Sequence, residues 1–405
     1  MQQVLIIILL ALSGLYFLLI LYYRRSWRSI PDYKFIHRSF SEGGPQTINH
    51  RPQTKISVII PARNEEDNIT RCLDSVCDQS YPKELFEVLV VDDHSTDNTA
   101  AIIKTYAEQN VKLISLKEFV TATAINSYKK KAIEIAIQQS TGELIVTTDA
   151  DCTMNENWLQ TIASFYEEYH PEFIAAPVAI DCNNKFIDFF QALDFMTLQG
   201  ITGASVHKKI HSMCNGANLA YTKKAFAEVG GFTGIDNIAS GDDMLLMHKI
   251  YKRYPDKLMF LKSKEVIVQT VPVNSIKDFF NQRIRWASKA TSYDDKRIFW
   301  VLLIVYLFNL ALLVLPVVAL FNNKVLELSL GPVTVIFSVL ELWLFFIITK
   351  TLVELFFLYP VAKFFGKQKM LWAFPLMQPF HIIYTVVAGW LGKFGSYSWK
   401  ERNVK

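Results

Sequence analysis

Residues 4–23, VLIIILLALSGLYFLLILYY, contain no Asp, Glu, Lys or Arg. At a rise of about 1.5 Å per residue, a helix of about twenty apolar residues spans a hydrocarbon layer roughly 30 Å thick. A secretory signal peptide is the competing reading, but it requires a basic start, a shorter apolar core and a small-residue cleavage site. Here Met-Gln-Gln precedes the run and Tyr22-Tyr23-Arg24-Arg25 ends it, so a membrane anchor is expected. Arg24, Arg25 and Arg28 then place the following segment on the cytosolic side.

A second apolar region starts near Phe299 and divides into about 299–321, 333–359 and 371–392. The dividers are Asn322-Asn323-Lys324 and the basic stretch Lys363–Lys369. Glu341, Lys350 and Glu354 lie in the middle segment, where an ion pair facing another helix is expected and a polar acceptor path is the alternative. Pro375 and Pro379 leave the last segment open to being broken, re-entrant or interfacial. The overall 51% hydrophobic content therefore averages two apolar ends with a middle of ordinary polarity. A net charge of +4 gives no reason to expect nucleic acid. Five cysteines show no CxxC or metal spacing, and in a cytosolic domain free thiols are expected. The domain plan is a transmembrane helix at 1–23, a linker at 24–53 and a cytosolic domain with interfacial helices at 54–298. A membrane region of two to three helices at 299–392 and a basic tail at 393–405 follow.

The middle reads as α/β. Ile56-Ser-Val-Ile-Ile60, Phe86–Val91, Val111–Ser115 and Glu143–Thr148 are strand-like runs. Helical patterns through Cys77, from about Asn98 and over Lys130–Gln139 separate them. Alternating strands and helices imply a parallel sheet with right-handed crossovers, and ligands gather beyond the carboxyl ends of such strands. Each acidic cluster falls at a strand's end or opens a helix. Asp149 and Asp151 could hold a hard divalent cation through oxygen, or form an acidic turn or helix cap. Asp92-Asp93 could cap the next helix, although two adjacent acids exceed what a cap needs. Asp242-Asp243 open another helical stretch, as a cap or as an acceptor of a proton from an attacking hydroxyl. Gln282, Arg285 and Trp286 share one helical face, an amide, a guanidinium and an indole suited to a phosphate beside a sugar ring. A membrane-surface helix is the compatible alternative. Residues 186–201, rich in Phe, Leu and Met, read either as a buried core helix or as an interfacial helix.

Taken in order, these pieces resemble the membrane-bound glycosyltransferases of family 2, which include cellulose, chitin and hyaluronan synthases and ceramide glucosyltransferases. The matching elements are Ser57–Glu65, Val90–Asp97, Thr148-Asp-Ala-Asp151 and Asn215-Gly-Ala-Asn218 leading to Gly230-Gly-Phe232. Gly241-Asp-Asp243 and Gln282-Arg-Ile-Arg-Trp286 complete the set. The resemblance covers about residues 54–290 and implies a nucleotide-diphospho-sugar transferase (glycosyltransferase A-type) domain with a mostly parallel sheet, flanked by transmembrane helices.

Position by position, the resemblance implies that Pro61, Arg63, Glu65 and Asp93 bind the nucleotide. Lys130 would lie near it, although Lys129 stands where the family usually has glycine. Asp149 and Asp151 would hold Mg2+ or Mn2+ with the diphosphate. Asp243 would be the general base, with Asp242 in place of the family's Glu. Arg285 would neutralise the leaving diphosphate, and Gln282 and Trp286 would meet the acceptor. The implied reaction is an inverting transfer from a nucleotide sugar, UDP-linked, to a lipid-linked or growing polysaccharide acceptor. A non-processive glycolipid synthase and a non-catalytic nucleotide-sugar sensor are the alternatives. Expected surroundings are membrane lipids, with a partner membrane subunit left open, and a multi-pass location in the plasma (bacterial inner) membrane with the catalytic domain cytosolic.

Overall fold

The computed structural model describes residues 2–34, 52–120, 127–182, 185–210, 213–238, 240–291, 295–321, 325–330, 332–394, 397–399 and 402–404. Residues 35–51 of the expected linker, the divider at 322–324 and Lys400 and Lys405 of the basic tail lie outside them. Two compact units form: Ile30–Asp181 with Ser205–Val271, and Met1–Ser29 with Cys182–Ala204 and Pro272–Lys405.

The second unit contains the chain's first helix, α1 (Gln2–Ser29). In the first unit the order is β1 (Ile56–Ala62), α2 (Ile69–Cys77), β2 (Phe86–Asp92), α3 (Thr99–Lys104), β3 (Val111–Ser115), α4 (Tyr128–Gln139) and β4 (Leu144–Thr147). Then come β5 (Cys152–Thr153), α5 (Trp158–Tyr169), β6 (Phe173–Ala175) and β7 (Val178–Ile180). After α6 (Phe186–His207), most of which belongs to the other unit, follow β8 (Leu219–Thr222), α7 (Lys223–Glu228), α8 (Met244–Arg253), β9 (Leu258–Phe260) and β10 (Val268–Thr270).

The main sheet runs β3-β2-β1-β4-β8-β6-β9. Its first four strands are mutually parallel, β8 runs against both neighbours, and β6 and β9 are parallel. The mostly parallel sheet expected from the alternating pattern is thus present. Val58, Ile59, Ile60, Val88, Leu89 and Val90 are fully buried, because a parallel sheet covered on both faces needs continuous apolar strands. Register sets Ala62 beside Asp92 and Ile59 beside Thr147, so the carboxyl ends of β1, β2 and β4 open on one edge. Gly142 makes the approach to β4 possible: a Cβ there would stand 2.5 Å from the backbone nitrogen of Ser57. A smaller sheet, β5-β10-β7, lies in the same unit.

The other unit adds α9 (Ile276–Ala287), α10 (Lys296–Phe321), the hairpin β11 (Val325–Leu330) and β12 (Val333–Ser338), α11 (Val339–Phe365), α12 (Phe374–Phe394) and a short pair β13 (Tyr397–Trp399) and β14 (Arg402–Val404). Four helical stretches, Gln3–Ser29, Lys296–Phe321, Val339–Phe365 and Gln368–Phe394, are long and apolar enough to cross a membrane. They leave large apolar side chains such as Leu18, Val317 and Leu352 more than half exposed, the pattern of a surface matched to lipid.

One sequence expectation changes here, and two open readings are filled in. Residues 333–338 pair with β11 instead of starting a helix, and α11 begins where Ser338 and Glu341 form a reciprocal capping box. The last segment is a 3-10 stretch (Gln368–Ala373) followed by a helix that carries Pro379 inside it. Residues 182–204 and 272–298, which the expected 54–298 domain holds with its interfacial helices, cluster with the apolar helices. The rings of Phe190 (α6) and Phe279 (α9) both meet Phe380 and Tyr384 on α12. Along α6 the side chains of Phe190, Leu193, Phe195 and Met196 are buried, which is the core-helix reading.

Candidate active site

At the end of β1 and β2, two loops lace together through side chains that accept backbone N–H groups. The N–H of Asn64 donates to Ser95 Oγ at 3.0 Å, and that of Thr96 returns to Asn64 Oδ1 at 2.9 Å. The N–H of Glu65 donates to Thr99 Oγ1 at 2.8 Å, that of Glu66 to Asp97 Oδ2 at 3.1 Å, and that of Asn98 to Glu66 Oε2 at 2.9 Å. Asn64 and His94 supply the left-handed turns, at φ 49° and 57°, a conformation short polar side chains tolerate. Burial works against the charge of Asp97, but hydrogen bonds from Thr99 and Glu66 hold its carboxyl below the usual range. Asp93 is buried and accepts at Oδ1 from His94 Nδ1 at 3.0 Å. Arg63 donates to the Asp93 carbonyl at 3.0 Å and lies 3.9 Å from its carboxylate. Pro61, Arg63, Glu65 and Asp93 therefore occupy one corner, each partly or wholly buried.

Beyond β4 the chain turns at Asp149-Ala-Asp-Cys152, closed by the N–H of Cys152 on the Asp149 carbonyl at 3.2 Å. Two buried thiols lie against this turn. Cys152 Sγ donates to Asp151 Oδ1 at 3.3 Å, and Cys72 Sγ to the Asp149 carbonyl at 3.6 Å. Burial, then the charges of Asp151 and Asp149, push both thiols up, so they remain protonated donors. None of the five cysteines is in a disulfide among the described residues.

The residue that joins the acidic clusters is Lys129. Its Nζ lies 2.7 Å from Asp149 Oδ1 and 3.3 Å from Asp242 Oδ2. Burial pulls its pKa down, but Asp149 and Asp242, with Asp243 behind them, more than offset this and hold it well above the usual lysine value. Gly216 lines the same cleft: a Cβ there would come within 3.2 Å of Asp242 Oδ2 and 3.3 Å of Lys129 Nζ. Its carbonyl accepts from Thr147 Oγ1 at 3.0 Å, and its N–H donates to Asp243 Oδ2 at 3.2 Å. Asp243 also caps α8, with Oδ1 accepting from the N–H of Met244 at 2.7 Å. The capping reading is thus realised without removing the carboxylate from the cleft.

Lys130, expected near the nucleotide, has backbone partners. Its Nζ donates to the carbonyls of Ile235, Ile238 and Ser240 at 2.6, 2.6 and 3.0 Å, pinning the segment that leads to Asp242. Consecutive helix positions differ by about 100°, so Lys129 and Lys130 cannot share a target. Asn218, from the Asn-Gly-Ala-Asn motif, is fully buried and bonds the carbonyls of Pro177 and Val266 at 2.8 and 2.7 Å.

Gln282, Arg285 and Trp286 lie on α9, in the unit of apolar helices, and all three are partly exposed. The position between them, Arg283, is buried and pairs with Asp194, two residues sequence reasoning passed over. In the same unit Lys350 donates to Glu354 Oε2 at 2.9 Å and to Gln378 Oε1 at 2.7 Å, and Tyr16 donates to Glu354. This is the ion pair facing other helices.

The profile of glycosyl transferase family 2 matches residues 57–230, and that of glycosyl transferase family group 2 matches residues 144–361. The poly(ribitol-phosphate) beta-N-acetylglucosaminyltransferase TarS of Staphylococcus aureus is 36% identical over 121 residues, 30% of this chain and 20% of that protein. The beta-monoglucosyldiacylglycerol synthase of Synechocystis is 27% identical over 139 residues, 34% of this chain and 28% of that protein. The chain thus spans well under half the length of either relative. A mannosyltransferase of Pyrobaculum calidifontis, solved with GDP-Man and Mn2+, has the same fold: the TM-score is 0.54 at 20% identity, covering 94% of this chain and 99% of that one. The fold is that of the A-type nucleotide-sugar transferases, and the chain belongs to glycosyl transferase family group 2.

Proposed function

We propose that the chain is a membrane-bound inverting glycosyltransferase. It moves a hexosyl or N-acetylhexosaminyl group from a UDP-linked donor to a lipid-linked or growing polysaccharide acceptor. One observation carries this reading: Lys129 bridges Asp149 and Asp242, so the Asp149–Asp151 turn and the Asp242–Asp243 pair face one cleft at the carboxyl edge of the sheet. A sensor needs to bind a nucleotide but has no use for a second acidic pair opposite the first.

In this reading Pro61, Arg63, Glu65 and Asp93 hold the nucleoside, on loops fixed by their own hydrogen bonds. Asp243 takes the proton from the acceptor hydroxyl, whose oxygen forms a bond to the anomeric carbon as the bond to the diphosphate breaks. One such displacement inverts the anomeric centre. Lys129 holds Asp242 and Asp149 in register across the cleft. Gln282, Arg285 and Trp286 are assigned to the acceptor and the leaving diphosphate from the chemistry of their shared helical face.

Asp151 and Asp149 would hold Mg2+ or Mn2+. The donor set suits a hard cation, since it is oxygen-only and supplies two carboxylates one residue apart. Among the described residues no three acidic, histidine or cysteine side chains converge on one point. That fits a cation held by one or two carboxylates together with substrate phosphate. When bound, the cation supplies positive charge to the departing diphosphate.

The test is to incubate membranes carrying the chain with a panel of nucleotide sugars, with and without chelator. Release of nucleoside diphosphate from one UDP-sugar, lost on chelation, is the expected result; no turnover with any donor overturns the reading. Among the described residues four helices are apolar enough to span a membrane, and a glycolipid acceptor is the reading tested first. Thin-layer separation of labelled product as a single lipid-mobile band would support it, and material left at the origin would indicate a polymer.

A further inference from the structure

Arg283 is the buried member of Gln282-Arg283-Ile284-Arg285-Trp286, with its side chain 4% exposed. A guanidinium taken out of water must find partners for its charge and its N–H groups. Its Nε and Nη2 both donate to Asp194 Oδ2 on α6, at 3.1 and 2.6 Å, and Asp194 is itself 3% exposed. The other carboxylate oxygen, Oδ1, accepts from the hydroxyl of Tyr384 on α12. The rings of Phe279 and Trp286 both lie against the guanidinium, with centroids 4.5 and 4.3 Å from Cζ. Its Nη1 donates to Gln282 Oε1 at 2.7 Å.

Arg283 therefore touches both non-arginine members of the exposed face. It fixes the Gln282 amide by taking its oxygen, which leaves the NH2 end as the donor. It also forms one side of the slot in which the Trp286 ring sits, the ring of Phe195 being 6.1 Å away. We propose that Arg283, locked by Asp194 and Tyr384, is a positioning residue that sets the Gln282 amide and the Trp286 ring for the acceptor. The proposal rests on the functional reading above. A planar fork is required, because a lysine could not bond Asp194 twice, stack on two rings and reach Gln282 together.

Asp194→Asn keeps the shape and removes the charge, Arg283→Lys keeps the charge and removes the fork, and Tyr384→Phe removes one hydrogen bond. Each is assayed for acceptor-dependent kcat and acceptor KM per molecule able to bind nucleotide, with nucleotide Kd as the control for folding. Asp194→Asn and Arg283→Lys should lose about tenfold to a hundredfold in acceptor-dependent kcat/KM, with nucleotide Kd unchanged. Tyr384→Phe should lose less in the same direction, and it carries the test alone should the charge variants fail to fold. A purely structural role would lower folded yield and leave kcat/KM per binding-competent molecule at the wild-type value, and that result overturns the proposal. A wild-type chain inactive with every donor overturns the functional reading instead.

Discussion

Each unit of this chain gathers charge where a protein normally avoids it, and the two gatherings are built differently. At the sheet's edge, Asp149, Asp242 and Asp243 set three partly exposed carboxylates around the Lys129 ammonium. Among the apolar helices, Lys350 answers Glu354 and Arg283 answers Asp194, each pair buried and balanced. Surplus charge with access to water can bind a cation or move a proton. Balanced charge sealed from water can do neither and instead fixes geometry.

The comparison fails at once if the sheet-edge carboxylates are inert, so the largest expected effect lies there. Asp243→Asn can keep one of its two backbone hydrogen bonds, from Met244 or from Gly216, and removes the proposed base; turnover should fall about 10³-fold with nucleotide binding retained. Wild-type turnover in that variant would end the assignment. On the neutral side, Lys350→Met leaves Glu354 buried without its cation and should cost about 3–5 kcal/mol. Adding Glu354→Leu to it should recover much of the loss in a thermal melt in detergent. Should the double variant be worse than the single one, the pair is not simply structural.

A smaller effect sharpens the surplus argument. Lys129 lies 2.7 Å from a candidate metal ligand, so Lys129→Met should tighten Mn2+ binding several-fold, read by calorimetry, while weakening catalysis. Unchanged or weaker Mn2+ affinity would mean that the cation binds elsewhere. The smallest effect lies away from both clusters, at Glu87. Burial opposes its charge, but Ser57 and Thr141 bond Oε1 at 2.6 to 2.8 Å and lower its pKa below 4.5. A depressed folded pKa gives stability that is present above the unfolded value and lost as pH falls through the folded one. Glu87→Gln should therefore narrow the gap in melting temperature between pH 6 and pH 3, and an equal gap in both proteins would contradict it.

The sheet and its acidic edge were legible because strand runs and carboxylates are contiguous features. A run such as Phe86–Asp92 carries both its burial and its ending within seven residues. Lys129 was not legible, since choosing it over Lys130 requires the rotational phase of α4, and one residue of error exchanges their targets. Arg283 and Asp194 lie 89 positions apart, and no local pattern announces such a pairing. The β11–β12 hairpin was hidden for a different reason: Val333–Ser338 is apolar enough to extend a helical window, and only the Ser338–Glu341 box marks the true start.

The interlaced loops after β1 and β2 carry a thermodynamic consequence. Their amides at Asn64, Glu65, Glu66, Thr96 and Asn98 already have side-chain acceptors before any ligand arrives. Fixing a loop residue costs about 1–2 kcal/mol of conformational entropy, and here that cost was met on folding. If the nucleotide binds at this corner as proposed, its capture is association with a pre-formed frame, without a folding step, and the slow exchange of those five amides should be nearly the same before and after nucleotide is added.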